Sequence, residues 1–287
     1  MSDSLILCGE HTLRWTPGRP LVMGIVNVTP DSFSGDGLAR QTDAAFEQAR
    51  AMMAAGADLV DIGAESTRPG AAAVSADEEL SRLVPLLERL QSAGIPVSVD
   101  TYKAVVMEEA IRLGAGLMND ISALGDPAAA ITVAPHDQVS VCLMHMQGRP
   151  RDMQRAPVYE DVVAEVLEFL DAAVVRASTA GISRERIILD PGFGFGKTFI
   201  HNQTLFRALP AFVASGVPIL VGVSRKSMIG EIVGHAVDGR MPGSVAAALL
   251  AAQAGAAILR VHDVLQTVDA LKINRALGPQ SCERWGG

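Results

Sequence analysis

The stretch DPGFGFGKT, Asp190 to Thr198, places a carboxylate, alternating glycines and a Lys-Thr pair within a few residues. A phosphate-cradling P-loop needs four residues between its glycines before the Lys-Ser/Thr pair, so that successive amides curl round the anion. Here Gly192 and Gly196 are separated by only three residues, and Pro191, before Gly192, has no N–H to give. The dinucleotide pattern G-x-G-x-x-G fails as well, because the glycines run G-x-G-x-G. Two readings remain from the residues alone. The segment is a flexible strand-to-helix connection, or its bare backbone lets a flat ligand lie close while Asp190 reads the ligand's edge.

Other residues capable of chemistry stand where short apolar runs end: Asn27, Asp61 followed by Glu65, Asp100, Asn119 with Asp120, His145, Asp190, Ser224 with Lys226, and Arg260 with His262. Helix N-caps favour Asp, Asn and Ser, and this explains some of them. It does not explain the cations Arg68, Lys226 and Arg260 on the same rim as Asp100 and Asp190, since such groups are costly to bury without partners or a ligand. Carboxylates suit a planar N–C(NH₂)–N edge, which offers parallel N–H donors. Arginine and histidine suit a phosphate or diphosphate. A flat heterocycle carrying a diphosphate would satisfy both sets.

The elements that must position these groups are short and regular. Eight β-rich runs, 22–27, 58–63, 96–100, 116–120, 139–145, 186–190, 218–224 and 257–262, alternate with helical patterns. Several helical patterns end in glycine, a common C-terminal stop. Ser75 and Glu78 have capping-box spacing. The last helix, from about Val264, is expected to put Val264, Leu265, Val268 and Leu271 on one face. Alternating units with nearly continuous apolar strands predict a parallel sheet wrapped by helices, and eight units predict an α/β fold of the (β/α)₈ TIM-barrel type. Residues 5–15 are expected to form a short hairpin closing the barrel floor. The reading is a single domain over 1–287, with the barrel at about 20–278.

Bulk properties narrow the function. Of 287 residues, 49% are hydrophobic, enough for a large core, and the net charge is −8. That balance argues against a general nucleic-acid or membrane surface, so an anionic ligand must meet local basic groups. Cys8, Cys142 and Cys282 follow no disulfide or zinc spacing, and a reduced, cytoplasmic setting is expected. The apolar stretch 244–259 is broken by Gln253 and Gly255 and reads as a buried helix running into a strand.

The segments MGIVNVTPDSFS (23–34), GAESTRPGA (63–71), SVDTYK (98–103), NDI (119–121), CLMHMQG (142–148), LDPGFGFGK (189–197), VGVSRKSMIG (221–230) and RVHDV (260–264) occur in this order. Together they resemble the dihydropteroate synthase family over about residues 20–275. One small departure is Gly35-Asp36-Gly37, where the family order is Asp-Gly-Gly.

The resemblance implies joining of 4-aminobenzoate to the methylene carbon of 6-hydroxymethyl-7,8-dihydropterin diphosphate, with release of diphosphate and formation of 7,8-dihydropteroate. It implies a pterin site of Asp100, Asn119, Ile121, Met144, Asp190, Phe195, Gly222, Lys226 and Arg260. Gly192 and Gly194 would let the ring approach. Asn27, Thr67, Arg260 and His262 would meet the diphosphate, and Asn27 would be the protein ligand of Mg²⁺, the implied cofactor. Thr29, Pro30, Asp31 and Phe33 of one loop, with Thr67, Arg68 and Pro69 of a second, would close over aminobenzoate, which Lys226 and Ser227 also meet. On burial habits alone, Ile121 and Met144 are equally ordinary barrel core. The implied mechanism is dissociative, with Asp31 facing the cationic carbon and no nucleophilic side chain, so Cys142 is a strand residue. A homodimer is implied. Two other readings are a methyltetrahydrofolate methyltransferase serving a corrinoid protein, and a catalytically silent pterin-binding barrel.

Overall fold

Each predicted apolar run becomes a strand, and successive strands pair in parallel. The computed structural model describes residues 4–16, 18–28, 38–66 and 73–278. The chain opens with an antiparallel hairpin of β1 (Ser4–Cys8) and β2 (His11–Trp15). The barrel strands are β3 (Leu21–Asn27), β4 (Leu59–Gly63), β5 (Val97–Asp100), β6 (Leu117–Asp120), β7 (Ser140–Met144), β8 (Ile187–Asp190), β9 (Leu220–Val221) and β10 (Ile258–Val261). Their order in the sheet is β8-β7-β6-β5-β4-β3-β10-β9, and a parallel bridge between Leu189 and Ile219 joins the two ends. The cylinder is therefore closed, as the count of eight units predicted.

Helices α1 (Leu38–Ala54), α2 (Ala76–Ser92), α3 (Ala104–Arg112), α4 (Pro127–Val133), α5 (Val162–Thr179), α6 (Phe199–Arg207), α7 (Leu209–Val213), α8 (Ser227–Val233), α9 (Met241–Gln253) and α10 (Val264–Leu277) cover the outside. Side chains alternate in and out along each strand. The outward set, including Val60, Ile62, Val97, Val99, Val141, Leu143 and Leu259, packs under the helices in one large core. The inward set at the lower end, Met23, Leu59, Leu117, Cys142, Ile188, Leu220 and Ile258, packs with Ile6 and Cys8 of the hairpin. The hairpin is thus the expected floor. It presses so closely that a Cβ on Gly116 would lie 1.9 Å from backbone atoms of Cys8 and Gly9. Each large apolar side chain withdrawn from water in these layers contributes about 1.5–3 kcal/mol.

Three expectations need correction. The run 218–224 yields only the two-residue strand β9. After it the chain turns sharply, because Arg225 adopts φ 59° and its N–H donates to Ser244 Oγ at 2.9 Å. In α10, Leu265 is exposed, while Thr267 is buried and donates its hydroxyl to the Asp263 carbonyl at 2.8 Å. Val264, Val268 and Leu271 do pack on the core, at helical spacing from one another, whereas Leu265 lies a residue round the helix. Ser75 caps α2 by accepting the Glu78 N–H at 3.2 Å, but the Glu78 carboxylate pairs with Arg82 rather than reaching back to the cap.

Candidate active site

The alternation that builds the apolar floor sets the chemistry at the other end. Counting up by twos, Leu59 leads to Asp61 and Gly63, Leu117 to Asn119, Ile188 to Asp190, and Ile258 to Arg260 and His262. Strand register then aligns the top layer: Asn27 pairs with Gly63, Gly63 with Asp100, Asp100 with Asn119, and Met144 with Asp190. An inward ring of polar groups at the C-terminal ends of the strands is the usual place for a barrel's chemistry.

Arg260 is the hub. Its Nε donates to Asp61 Oδ2 at 2.6 Å, and its Nη2 donates to Asp100 Oδ2 at 2.9 Å. Burial would favour loss of its proton, but Asp61 and Asp100 outweigh this and hold the guanidinium pKa above its ordinary range. Asp61 has no exposure and also accepts from Ser98 Oγ at 2.6 Å and Asn119 Nδ2 at 3.3 Å. Asp61 stands at a strand end in the sequence, and the family resemblance implies no role for it. Here it fixes both Arg260 and Asn119. Its signal was a lone carboxylate at an inward position of an apolar strand.

Burial pushes the Asp100 carboxyl up to about 7; Arg260 opposes the rise, while Asp61 adds to it. Asp190 is also raised, chiefly by burial, against the opposing pull of Lys226 and of the Gly192 N–H, which donates to Asp190 Oδ1 at 2.7 Å. Both acids are therefore costly to keep ionised until donors arrive. Gly222 faces Arg260: a Cβ there would lie 3.7 Å from Arg260 Cβ, in ordinary contact. Ile121 and Met144 are buried but belong to neither apolar core. That suits walls of a site better than core filling.

Lys226 follows the tight turn at Arg225, whose guanidinium is held by both oxygens of Asp263. Lys226 donates to the Phe193 carbonyl, and its Nζ lies 4.6 Å from the centre of the Phe195 ring. Burial lowers its pKa to about 8, with Asp190 opposing. Phe195 is half-buried, whereas Phe193 is core, packed on Phe206. Ser227 is exposed at the start of α8. His262 Nδ1 lies 3.0 Å from Ser224 Oγ, which also accepts the His262 N–H at 3.2 Å, so the imidazole is fixed. Asn27 Oδ1 stands beside Gly63 and Asp100, 3.8 Å from where a Gly63 Cβ would be.

Several strand-end residues do not join this group. Glu65 is taken up by Lys103 and Tyr102, and Lys103 also holds Glu79. Asp120 accepts the N–H groups of Ser122 and Leu124 and shapes the turn after β6. His145 turns to Lys197, with Nζ to Nδ1 at 2.8 Å. Cys142 is buried, and burial raises its thiol pKa well above normal, so it is no nucleophile. Thr29, Pro30, Asp31, Phe33, Thr67, Arg68 and Pro69 lie outside the described residues.

The acidic edge of Asp100, Asn119 and Asp190 and the basic groups Arg260, Lys226 and His262 thus occupy one mouth of one barrel. Comparison with known proteins agrees with this geometry. Residues 23–262 match the family described as pterin binding enzyme. The dihydropteroate synthase of Neisseria meningitidis serogroup C is 50% identical over 275 residues, covering 92% of this chain and 97% of the relative. The structure of Xanthomonas albilineans dihydropteroate synthase with 4-aminobenzoic acid superposes with a TM-score of 0.91 at 48% identity, covering 98% of this chain and 100% of that one. The same enzyme in complex with 7,8-dihydropteroate gives a TM-score of 0.83 at 47% identity, covering 94% and 97% of the two chains. The chain belongs to the pterin-binding enzymes and, among them, to the dihydropteroate synthases.

Proposed function

We propose that the chain condenses 4-aminobenzoate with (7,8-dihydropterin-6-yl)methyl diphosphate, giving 7,8-dihydropteroate and diphosphate on the route to folate. The observation that carries this reading is the meeting of Asp100, Asn119 and Asp190 with Arg260 and Lys226 at one mouth of the barrel, where Gly222 faces the Arg260 side chain. The carboxylates accept the parallel N–H donors of the aminopyrimidinone edge. Lys226 donates to the ring, whose face lies over Arg260. Ile121, Met144 and Phe195 supply apolar walls.

An arylamine is a weak nucleophile, while the pterin delocalises positive charge from its methylene carbon. The bond from that carbon to the diphosphate oxygen therefore breaks first, and the electron pair leaves on oxygen. The aminobenzoate nitrogen then forms the new C–N bond and releases its proton. Arg260, His262 and Asn27 offer donors and charge to the departing oxyanion, the kind of preorganised stabilisation that dominates such reactions. The loop residues Thr29, Pro30, Asp31, Phe33, Thr67, Arg68 and Pro69 are assigned to aminobenzoate and to excluding water, with Thr67 also assigned to the diphosphate and Asp31 facing the cationic carbon. Ser227, exposed where α8 begins, is assigned with Lys226 to the benzoate carboxylate.

Mg²⁺ is part of this reading. Among the described residues no three His, Cys, Asp or Glu side chains form a metal cage. The single amide oxygen of Asn27 at the mouth fits an ion held chiefly by substrate oxygens and waters, which magnesium prefers. When bound with the diphosphate, Mg²⁺ neutralises charge on the leaving group.

A homodimer is proposed as well, using exposed apolar side chains of this region: Ile232 of α8, Val237 of the turn between α8 and α9, and Leu250 of α9. A cytoplasmic location is proposed, and among the described residues no helix is long and apolar enough to cross a membrane. Diphosphate release by purified protein, with both substrates and Mg²⁺, tests the function. Release that needs aminobenzoate is expected, and its absence overturns the reading.

A further inference from the structure

The lysine of the glycine loop does not face the mouth. Lys197 is buried, with 3% of its surface exposed. Its Nζ lies 2.8 Å from His145 Nδ1, 2.9 Å from the Gly192 carbonyl, 3.0 Å from the Phe195 carbonyl and 3.3 Å from the His145 carbonyl. An ammonium has three N–H donors and no acceptor, so the three nearest partners use it fully. A neutral amine would leave one of them without a proton.

His145 is suited to accept. Burial, and then Lys197 itself, push the imidazole pKa down to about 3, so the ring is neutral. The ring is wedged edge-on against Phe169, with centroids 4.8 Å apart, and the backbone N–H of His145 donates to the Asp190 carbonyl at 3.0 Å. The loop is pressed onto this segment: a Cβ on Gly192 would lie 1.9 Å from the His145 carbonyl oxygen, and one on Gly196 2.2 Å from that of Gln147. Asn202 accepts the Gly194 N–H at 2.7 Å, and the Tyr159 hydroxyl donates to the Gly196 carbonyl at 2.8 Å. Apart from the contact of Lys197 with the His145 ring, these hydrogen bonds hold loop backbone, and the Gly192 and Phe195 carbonyls that Lys197 gathers flank Phe193, whose carbonyl Lys226 holds.

We infer that Lys197 is a positioning residue: its ammonium ties the carbonyls of Gly192 and Phe195 to His145 and so sets the loop that presents Asp190, Phe195 and Lys226 to the pterin, without touching any ligand. The last clause rests on the pterin reading given above; the tie itself does not. The charged and titratable groups around the ammonium are Asp190, which favours it, Lys226, which opposes it, neutral His145 and the Tyr159 phenol. Burial lowers the Lys197 pKa to about 7, so the tie is sensitive to base.

The test is Lys197→Met, which keeps length and removes the donors. In the free variant, hydrogen exchange of the amides from Gly192 to Lys197 should rise at least tenfold, while barrel-strand amides stay unchanged. Calorimetry with 6-hydroxymethyl-7,8-dihydropterin should show at least tenfold weaker binding, and KM for aminobenzoate, which meets the loop only through Lys226, should rise by less than that. Unchanged loop exchange, or pterin affinity within twofold of wild type, overturns the inference. If the wild-type chain does not bind the dihydropterin, the pterin reading fails instead, and the exchange data still decide the tie. Should the variant not fold, the wild-type chain has only four lysines, so ¹³C-labelled lysine gives resolved titrations. By linkage, the neutral dihydropterin should raise the Lys197 pKa. A Lys197 titration that is identical with and without dihydropterin overturns the inference.

Discussion

The two ends of the barrel are built from the same strands and do opposite things. At the floor the inward side chains are apolar and packed against the hairpin until Gly116 has no room for a methyl group. Two and four residues further along, the inward side chains include Asp61, Asp190, Arg260 and His262, and Gly222 has ordinary contact distances around its missing Cβ. The floor gains stability from contact. The mouth gives stability up, because Asp100 and Asp190 are held where burial raises their pKa values. The contrast teaches that affinity for a polar ligand is stored as polar groups incompletely served by the protein.

If that contrast is right, substitutions at the two ends should separate binding from folding. The largest effect is expected for Asp190→Ala. Losing the acceptor of a paired N–H edge should weaken dihydropterin binding by roughly 100-fold or more, about 3 kcal/mol, measured by calorimetry. The melting temperature should change little, because relief of a costly buried carboxyl is offset by the Gly192 N–H losing its acceptor. Unchanged affinity would show that the acidic edge faces something else. Gly116→Ala should do the reverse, with a loss of about 3 kcal/mol in denaturant unfolding as the hairpin is forced off the floor. KM for both substrates should be unaffected in the protein that remains folded.

The pH dependence comes next. Ligand N–H donors need ionised Asp100, so affinity should climb as pH rises through about 7. Lys197 at about 7 and Lys226 at about 8 must be protonated, so affinity should fall again as pH rises through those values. Pterin affinity should therefore peak narrowly near pH 7, and a flat profile from pH 5 to 9 would contradict the burial of these groups. Gly222→Ala should be mildest: stability is preserved, because the new methyl meets Arg260 at ordinary distance, while KM for the pterin substrate rises about tenfold, or about 1.4 kcal/mol.

Much of this was legible in the residues because period-two alternation is a strong rule. Once Leu59 points in, so does Asp61, and once Ile258 points in, so does Arg260. The strand ends therefore located the mouth, and residues 5–15, which precede the first strand–helix unit, were free to form the hairpin at the floor. What was not legible depends on partners distant in sequence. Asp61 became a hub only when closure of the sheet carried Arg260 to it from 199 positions away. The direction of Lys197 depends on left-handed glycines curling the loop over His145, and composition does not encode that curl. The shortening of β9 likewise follows from a left-handed Arg225 held by Ser244 and Asp263, and Leu265 missed the core by one residue of helical phase.

The anchoring of Asp190 bears on inhibitor design. Its carboxyl is oriented by a Gly192 amide, its own carbonyl is held by the His145 amide, and the loop beyond it tolerates no side chain at Gly192. A compound gripping this acid would address a position that the chain cannot shift by exchanging one neighbour for a bulkier one. Escape by point substitution would have to arise elsewhere around the compound.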